Sequence, residues 1–322
     1  RPERMGGMIT GNHTPWTHFI LVGFADHPEL RRVLFVVFLF CYLFTLTGNF
    51  LLILLTVADA ALHTPMYFFL RNLSFLEISY TSVTLPKILA TLLSEKEDIS
   101  FLGCATQMYF LLFLGGTECY LLAAMAYDRY VAICHPLRYP LLMNRRVYTG
   151  LAAASWLTNL LVLMGHVAAI FTLPFCGSKE INHFFCDLPP VVKLACGDTH
   201  GTEIAILLVA LFFVLLPFAL ILASYMRIIT TILGMPSAEG RQKTFSTCSA
   251  HLLGVTLFYG AACAMYLKPK ASHLPHGDKV FALLYSVVTP MLNPLIYSLR
   301  NKEVKEALRR LTQKVCSGTQ GF

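Results

Sequence analysis

Two glutamates lie within long apolar stretches of the sequence, Glu77 in one that also carries Arg71 and Lys87, and Glu118 in another. A charged side chain at the centre of a membrane-spanning helix costs about 2.5–3.5 kcal/mol, so each acid requires a compensating role. If their helices are neighbours, the two carboxyl groups could bind a cation such as sodium together, or share one proton. The other interpretation is that one or both are neutral and only hydrogen-bonded, and the residue pattern leaves these alternatives open.

An adjacent acid and base end a third apolar stretch, in the sequence AMAYDRYVAICHPLRY at residues 124–139. Asp128 can pair with Arg129, and the arginine can exchange partners when neighbouring helices shift. The simpler alternative is an ordinary arginine at the cytoplasmic end of a membrane span. Tyr130 completes the triplet. The pattern therefore predicts either a conformational switch or a plain topology signal at this point.

Prolines interrupt two of the later apolar stretches. Pro290 and Pro294 belong to the sequence PMLNPLIY, which also contains Asn293 and Tyr297, and Pro217 lies in an earlier stretch. A proline inside a helix removes a backbone hydrogen bond and permits a kink. Static irregularity is the alternative interpretation, but the recurrence favours a bundle that moves.

The cysteines are too few for a disulfide scaffold, so their positions matter more than their number. Four lie in segments predicted to face the outside, namely Cys104, Cys176, Cys186 and Cys196. Four cysteines allow three pairings, and sequence alone does not choose between them. A rival interpretation makes Cys176, His183 and Cys186 metal ligands, although an oxidising location and an even count favour bridges. The remaining six are expected to be free thiols: Cys41, Cys119, Cys134, Cys248, Cys263 and Cys316.

The composition defines the elements that must position these residues. The chain has 322 residues, of which 56% are hydrophobic and only 13% are charged, and its mean hydropathy is +0.62. Soluble domains average about 25% charged residues. The composition therefore predicts a polytopic membrane protein. The net charge of +7 could indicate nucleic-acid binding, but the positions of the charges argue against it.

Seven apolar stretches are long enough to span a bilayer, which requires about 20 residues. They run approximately over residues 33–57, 65–91, 101–130, 148–173, 204–229, 244–267 and 280–299. After them Val304, Ala307, Leu308 and Leu311 recur at helical spacing among basic residues. We therefore expect an all-α membrane protein, a seven-transmembrane helix bundle (residues 33–299) with a short amphipathic C-terminal helix (residues 300–322) that contacts anionic membrane lipid.

Lysines and arginines fix the predicted orientation because they accumulate on the cytoplasmic side. They cluster between spans three and four, between five and six, and after span seven, whereas the opposite loops are mostly acidic. The N-terminal residues 1–32 are therefore expected outside, with Arg31 and Arg32 as exceptions to the charge rule. No cleavable signal peptide is visible. Asn12 begins a glycosylation sequon in this outer segment.

The chain resembles the rhodopsin-like G-protein-coupled receptors, and most closely the tetrapod-type odorant receptors. The resemblance rests on motifs in the family's order: GN (48–49), LHTPMYFFL (62–70), MAYDRYVAICHPLRY (125–139), SY (224–225), KTFSTCSAHL (243–252) and PMLNPLIYSLRNKEVKEAL (290–308). It implies a plasma-membrane receptor without catalytic activity. It further implies that an odorant binds from outside and that a stimulatory, olfactory-type G protein couples inside to raise cAMP.

The resemblance also implies site residues. Disulfides would join Cys104 to Cys186 and Cys176 to Cys196. The ligand wall would lie in the outer half of the bundle and include Met108, Leu112, Gly115, Gly116, Val209, Phe213, Tyr259, Ala262, Cys263, Tyr266 and Leu283. This wall is apolar with a few hydroxyls, which suits a small, volatile, weakly polar molecule, and the two glycines would leave room beside span three. Tyr259 would contact the ligand and help to move span six.

Two departures from the family pattern affect the switch and the cation site. Glu77 replaces the aspartate that is usual in the family, which changes the geometry of any sodium site with Glu118. The inner end of span six is basic, so Arg129 needs other partners, for which Asp128 and Tyr225 are candidates.

A transporter or channel remains the alternative function. The odd number of spans and the absence of an internal repeat weigh against it. No His/Glu metal spacing or nucleophile elbow indicates an enzyme, and no cofactor other than the sodium ion is expected.

Overall fold

Long helices make up most of the computed structural model, which describes residues 17–23, 28–94, 97–196, 200–266, 275–299 and 302–318. They are α1 (Arg31–Ala58), α2 (Pro65–Leu93), α3 (Phe101–Cys134), α4 (Arg145–Phe171), α5 (His200–Leu233), α6 (Ala238–Tyr266), α7 (residues 275–299) and α8 (Lys302–Gly318). Short helical turns lie at Pro28–Leu30, Ala60–Leu62, Pro136–Arg138, Tyr139–Leu142 and Leu188–Val192.

Helices α1 to α7 form the predicted seven-helix bundle, and α8 follows it as the predicted C-terminal helix. Among the described residues, α1, α3, α4, α5 and the Lys279–Ile296 part of α7 are long and apolar enough to cross a membrane. The apolar part of α6 is shorter, Cys248–Cys263. Helix α2 carries three charges, but it packs along both α1 and α3. Of these three, Glu77 is buried inside the bundle, whereas Lys87 donates to the carbonyl of Asp98 beyond the end of the helix.

Several helices extend beyond the predicted spans. Helix α3 continues one turn past Tyr130 to Cys134, and α6 begins at Ala238 rather than near Thr244. Hydropathy marks the part of a helix that lies in lipid, whereas the hydrogen-bonded helix continues into water. The helices follow the predicted order, and several of them, such as α3 and α6, are longer at their polar ends than the predicted spans.

Two prolines each follow a widened turn of helix. Leu211–Leu215 in α5 and Leu284–Val288 in α7 are π-helical, and the backbone N–H after each segment donates to the carbonyl five residues earlier. Pro217 and Pro290 come immediately afterwards. A proline ring collides with the carbonyl four residues before it. The wider turn moves that carbonyl away, so these are local irregularities with an identifiable cause.

A small sheet, which the sequence does not predict, covers one end of the bundle. Strand β1 (His18–Leu21) lies between β2 (Asp98–Ser100) and β3 (Glu180–Ile181). It pairs antiparallel with β2 and parallel with β3. Strand β1 therefore joins the N-terminal segment to the loops that follow α2 and α4.

Charged residues at this end pair with each other or with the backbone. Arg31 forms an ion pair with Glu97, so this exception to the charge rule has a specific partner. Lys279 donates to the carbonyl of Gly23 at 3.1 Å, and its Nζ lies 6.0 Å from the ring centre of Phe184. These contacts fasten the N-terminal segment to α7 and to the loop before α5.

Helix α8 packs one side against the bundle. Val304 and Ala307 are buried, whereas Leu308 is 37% exposed. Only part of the predicted apolar face of α8 therefore contacts the bundle, and Leu308 faces outward. Tyr67 donates a 2.5 Å hydrogen bond to Glu303, and Arg310 forms a 2.8 Å ion pair with Asp59.

Candidate functional site

Two disulfides organise the end of the bundle that carries the sheet. Cys104 is bonded to Cys186, with their Cα atoms 5.3 Å apart. Cys176 is bonded to Cys196, with a Cα separation of 6.0 Å. The cysteines of the alternative metal site are therefore used as bridges. Among the described residues, no group of three or more His, Cys, Asp or Glu side chains is arranged to hold a metal.

The cysteines predicted to be thiols are free wherever the structure describes them, at Cys41, Cys119, Cys134, Cys248 and Cys263. The side chain of Cys316 and the sequon at Asn12 lie outside the described residues.

The predicted wall residues on the outer half of α3 are occupied by protein packing. Met108 is fully buried in a cluster with the Cys104–Cys186 bridge, and Leu112 packs against the same cluster. This cluster also contains Phe19 of β1. The top of α3 is therefore held by the sheet and the loop before α5.

The two glycines on α3 do not leave the ligand space that was expected. A Cβ atom at Gly115 would lie 2.5 Å from the hydroxyl oxygen of Tyr285. One at Gly116 would overlap the side-chain oxygen of Asn159 and lie 3.4 Å from Leu163 Cδ1. The prediction of free space here is wrong, because α7 and α4 fill it with a phenol and an amide. The glycines instead allow close helix contact.

Tyr259 on α6 supplies the polar group of the remaining wall. Its side chain is 3% exposed, and its hydroxyl has no oxygen or nitrogen partner among the described residues, although the thiol of Cys119 lies beside it. The rings of Phe218 and Phe258 lie 4.7 Å and 5.2 Å from its own. A buried hydroxyl without a partner costs about 1–3 kcal/mol, so this position would gain from a ligand that accepts a hydrogen bond.

The other predicted wall residues come from α5, α6 and α7. Phe213 and Ala262 are buried, and Val209, Cys263 and Leu283 are half-buried. Tyr266 lies in α6, and its side chain is outside the described part of the chain. Apart from the Tyr259 hydroxyl and the Cys263 thiol, the described side chains of this group are apolar.

A buried polar cluster lies deeper between α2, α3 and α7. Asn293 donates a short hydrogen bond to Glu77. One carboxyl oxygen of Glu118 and the amide oxygen of Asn293 have no hydrogen-bond partner among the described residues. Glu77 and Glu118 are near enough to interact electrostatically. Three oxygen-bearing side chains therefore share one enclosed region.

The acid and base at the end of α3 have different neighbours. Asp128 accepts a 2.7 Å hydrogen bond from Tyr139, and Arg129 Nη2 lies 3.7 Å from the sulfur of Met66 on α2. Tyr130 lies 3.0 Å from His135. Asp128 is thus hydrogen-bonded to the loop after α3 and also interacts electrostatically with Arg129.

His251 connects three helices and was not singled out from the sequence. Its Nε2 donates to the carbonyl of Leu122 on α3 at 3.1 Å, and its Nδ1 lies 2.7 Å from the hydroxyl of Tyr225 on α5. Because a carbonyl only accepts, Nδ1 is the acceptor for Tyr225. The signal available in the sequence was a histidine inside a predicted apolar span, at the end of KTFSTCSAHL.

Close packing joins α1 to the proline region of α7. A Cβ atom at Gly48 would lie 3.1 Å from Pro294, and Asn49 donates to the carbonyl of Pro290 at 3.4 Å. Tyr297 belongs to α7, and its side chain is outside the described residues. The kinked part of α7 is therefore supported by α1.

Comparison with known proteins decides the family. A family profile described as "Olfactory receptor" matches residues 38–314. The chain belongs to the olfactory receptor family. Olfactory receptor 10C1 of Homo sapiens is 55% identical over 306 residues, covering 95% of this chain and 98% of the relative. Olfactory receptor 10A7 of Homo sapiens is 54% identical over 309 residues, covering 96% and 98%.

The fold has a counterpart among solved structures. Squid rhodopsin superposes with a TM-score of 0.72 at 17% identity, over 89% of this chain and 87% of the rhodopsin. At this identity the likeness shows the fold alone. As a member of the olfactory receptor family, this protein is a multi-pass plasma-membrane protein. It is a G-protein-coupled receptor for odorants and not an enzyme. Family membership favours this interpretation over the transporter or channel.

Proposed function

We propose that this receptor binds a small, volatile, weakly polar odorant in the outer half of its bundle and activates a stimulatory, olfactory-type G protein that raises cAMP. The N-terminus lies outside, so that the disulfide end receives the ligand. The observation that carries the proposal is the buried hydroxyl of Tyr259, which lies among aromatic rings with only the soft Cys119 thiol beside it and no oxygen or nitrogen partner among the described residues. A carbonyl, ether or alcohol oxygen on a small apolar ligand would satisfy it.

The same helix links the ligand to the opposite end. Tyr259 lies eight residues after His251 on α6, which is about two turns. A ligand that moves α6 at Tyr259 therefore acts on the helix that His251 holds to α3 and α5. Outward movement of α6 would break these bonds, release Arg129 for the G protein and open an inner cavity. The ligand shifts the equilibrium between the two helix arrangements only by the difference in its affinity for them.

A sodium ion is proposed at Glu77, Glu118 and Asn293. Carboxylate and amide oxygens are the ligands that hard cations prefer, and two of these oxygens lack partners among the described residues. Two buried carboxylates without a countercharge would repel one another. One proton shared between them is the competing account. Agonist potency measured in sodium medium and in choline medium separates the two accounts. If sodium binds, the potency of the unmodified receptor should differ between the media, and Glu118→Gln should remove that difference.

Helix α8 is proposed to lie on the inner leaflet. Its exposed basic residues Lys305, Arg309 and Arg310 can contact anionic lipid, and its outward Leu308 can enter the interface.

The test is cAMP in cells that express the receptor, over a panel of small volatile molecules. Tyr259→Phe keeps the ring and removes the hydroxyl, and should weaken an oxygen-bearing agonist by about ten-fold, corresponding to one hydrogen bond. Tyr148→Phe is the matched control, since the ring of Tyr148 on α4 packs against Phe68 and is not one of the predicted wall residues. Arg129→Ala should abolish the response. An agonist response unchanged in both Tyr259→Phe and Arg129→Ala would refute the ligand contact and the coupling route.

A further inference from the structure

A groove separate from the odorant wall opens sideways from the bundle, on the half that carries Arg129. Its volume is about 720 Å³, within the range of roughly 300–1,000 Å³ that small-molecule sites occupy. None of the eleven predicted wall residues lines it. The groove therefore requires its own explanation.

The groove exists because α4 and α5 each pack against α3 and scarcely touch one another. Ala123 and Ala124 of α3 form its floor, where small side chains keep the space open. Ala154 on α4 and Ala223 on α5 lie on opposite walls, and both are exposed. The π-helical turn of α5 contributes Phe212, whose carbonyl accepts a 2.8 Å hydrogen bond from Tyr120.

Most of the lining is apolar, and of its six hydroxyl-bearing residues three already have hydrogen-bond partners, whereas Tyr127, Thr158 and Ser224 add hydroxyl groups along the walls. The hydroxyl of Tyr120 is used by Phe212, that of Ser155 donates to Leu151 at 2.8 Å, and that of Tyr130 contacts His135. These three groups have no need of a ligand. The body of an occupant should therefore be hydrocarbon.

Arg227 is the exception, at one end of the groove. Its side chain is exposed, and within the described residues its guanidinium forms no ion pair or hydrogen bond, although its carbonyl accepts bonds from Thr230 and Thr231. No acidic residue lines the groove. The site thus offers an apolar channel that ends in an unpaired cation.

We propose that this groove binds one phospholipid of the inner leaflet, with an acyl chain between α4 and α5 and an anionic headgroup, of the phosphatidylserine type, on Arg227. The proposal rests on the orientation proposed above, which places Arg227 at the cytoplasmic interface. At the depth of the groove the surrounding medium is lipid, and exposed apolar residues such as Leu220 border it. Arginine binds phosphate oxygens in two-pronged fashion.

The test uses purified full-length receptor in phosphatidylcholine nanodiscs that contain a trace of phosphatidylserine with a photoactivatable group in one acyl chain. Label should appear in peptides of α3, α4 and α5 that line the groove. Ala154→Trp and, from the opposite wall, Ala223→Trp should abolish it. Leu157→Trp places the same ring on an exposed position of α4 outside the groove and should leave the label unchanged.

The headgroup is tested by charge. Arg227→Gln should lower labelling by phosphatidylserine about five-fold, the effect of one cation at a membrane surface, and leave labelling by photoactivatable phosphatidylcholine unchanged. Arg309→Gln on α8 is the matched control. Labelling that survives both tryptophan variants would overturn the site, and equal labelling by the two lipids would overturn the role of Arg227. Displacement by an agonist but not by unlabelled phosphatidylserine would assign the groove to odorant and overturn the proposal.

Discussion

The hydroxyl of Tyr139 donates a 2.7 Å hydrogen bond to a carboxylate oxygen of Asp128. Tyr139 begins a short helix, Tyr139–Leu142, in the loop after α3. Burial raises the pKa of Tyr139 above that of an ordinary phenol, and the negative charge of Asp128 raises it further. Tyr139 therefore keeps its proton and remains a donor throughout the physiological pH range. The bond ties the loop to the residue beside Arg129.

Tyr139→Phe should raise basal cAMP, because it removes this bond and frees Asp128 while keeping the ring. A hydrogen bond to a charged acceptor contributes about 1.5–3 kcal/mol. The measurement is agonist-free cAMP divided by surface expression, with Tyr148→Phe as the control. The basal signal should not vary between pH 6 and 8 through this bond, since a phenol of raised pKa does not titrate there. A basal signal equal to that of the control would contradict the role given to Tyr139.

His251→Leu should also raise basal cAMP. It removes the bonds to Tyr225 and to the Leu122 carbonyl, each of which contributes about 1 kcal/mol, and so weakens the restraint between α6 and its two neighbours. Thr256→Ala is the control on the same helix, since the Thr256 hydroxyl donates only to Leu252 of its own helix. Tyr225→Phe should have a smaller effect than His251→Leu. The reverse order would mean that the α3 bond is unimportant.

Alanine at Gly115 or Gly116 should destabilise the receptor by about 1–3 kcal/mol, as overpacking does. The added methyl group would meet Tyr285 or Asn159. Gly165→Ala is the control, because no atom lies within 4 Å of the position its Cβ would take, and there the loss of glycine flexibility should be neutral or stabilise by about 0.5–1 kcal/mol. Thermal unfolding of the purified receptor compares the three. Equal unfolding midpoints for the three variants would show that the helices can move apart to accommodate the methyl group.

Loss of the Cys104–Cys186 bridge should cost more than loss of Cys176–Cys196. The bridges close loops with sequence separations of 82 and 20 residues, for which chain entropy predicts about 4.5 and about 3.3 kcal/mol. Cys104→Ser should therefore reduce surface expression more than Cys176→Ser does. Flow cytometry against an N-terminal tag measures this, with Cys41→Ser, a free thiol, as the control. The opposite ranking would show that packing at the smaller loop outweighs chain entropy.

The sequence predicts the helices well, since hydropathy alone defines the spans and their order. It does not predict the π-helical turns before Pro217 and Pro290, although both prolines mark the right places. The strands are missed because β1 has four residues and β3 only two, which is too short for a periodic pattern. Their pairing depends on contacts made far along the chain.

The candidate site is predicted in part. Tyr259 lies buried against the rings of Phe218 and Phe258, and its contact with a ligand stays a prediction. Gly115 and Gly116 show the limit, because a glycine in a sequence does not reveal whether a ligand or a neighbouring helix occupies the space beside it. His251 shows the converse, because its hydrogen bonds to Leu122 and Tyr225 join residues that only the folded bundle brings together.

The strand order also constrains biosynthesis. Ile20 and Leu21 pair with Glu180 and Ile181, so the first strand can complete its parallel pairing only after four helices have been synthesised and inserted. Until then the N-terminal segment has left the ribosome without its final neighbours. The sheet that covers this end of the bundle can therefore form only after α1 to α4 have been made, late relative to the strand that begins it.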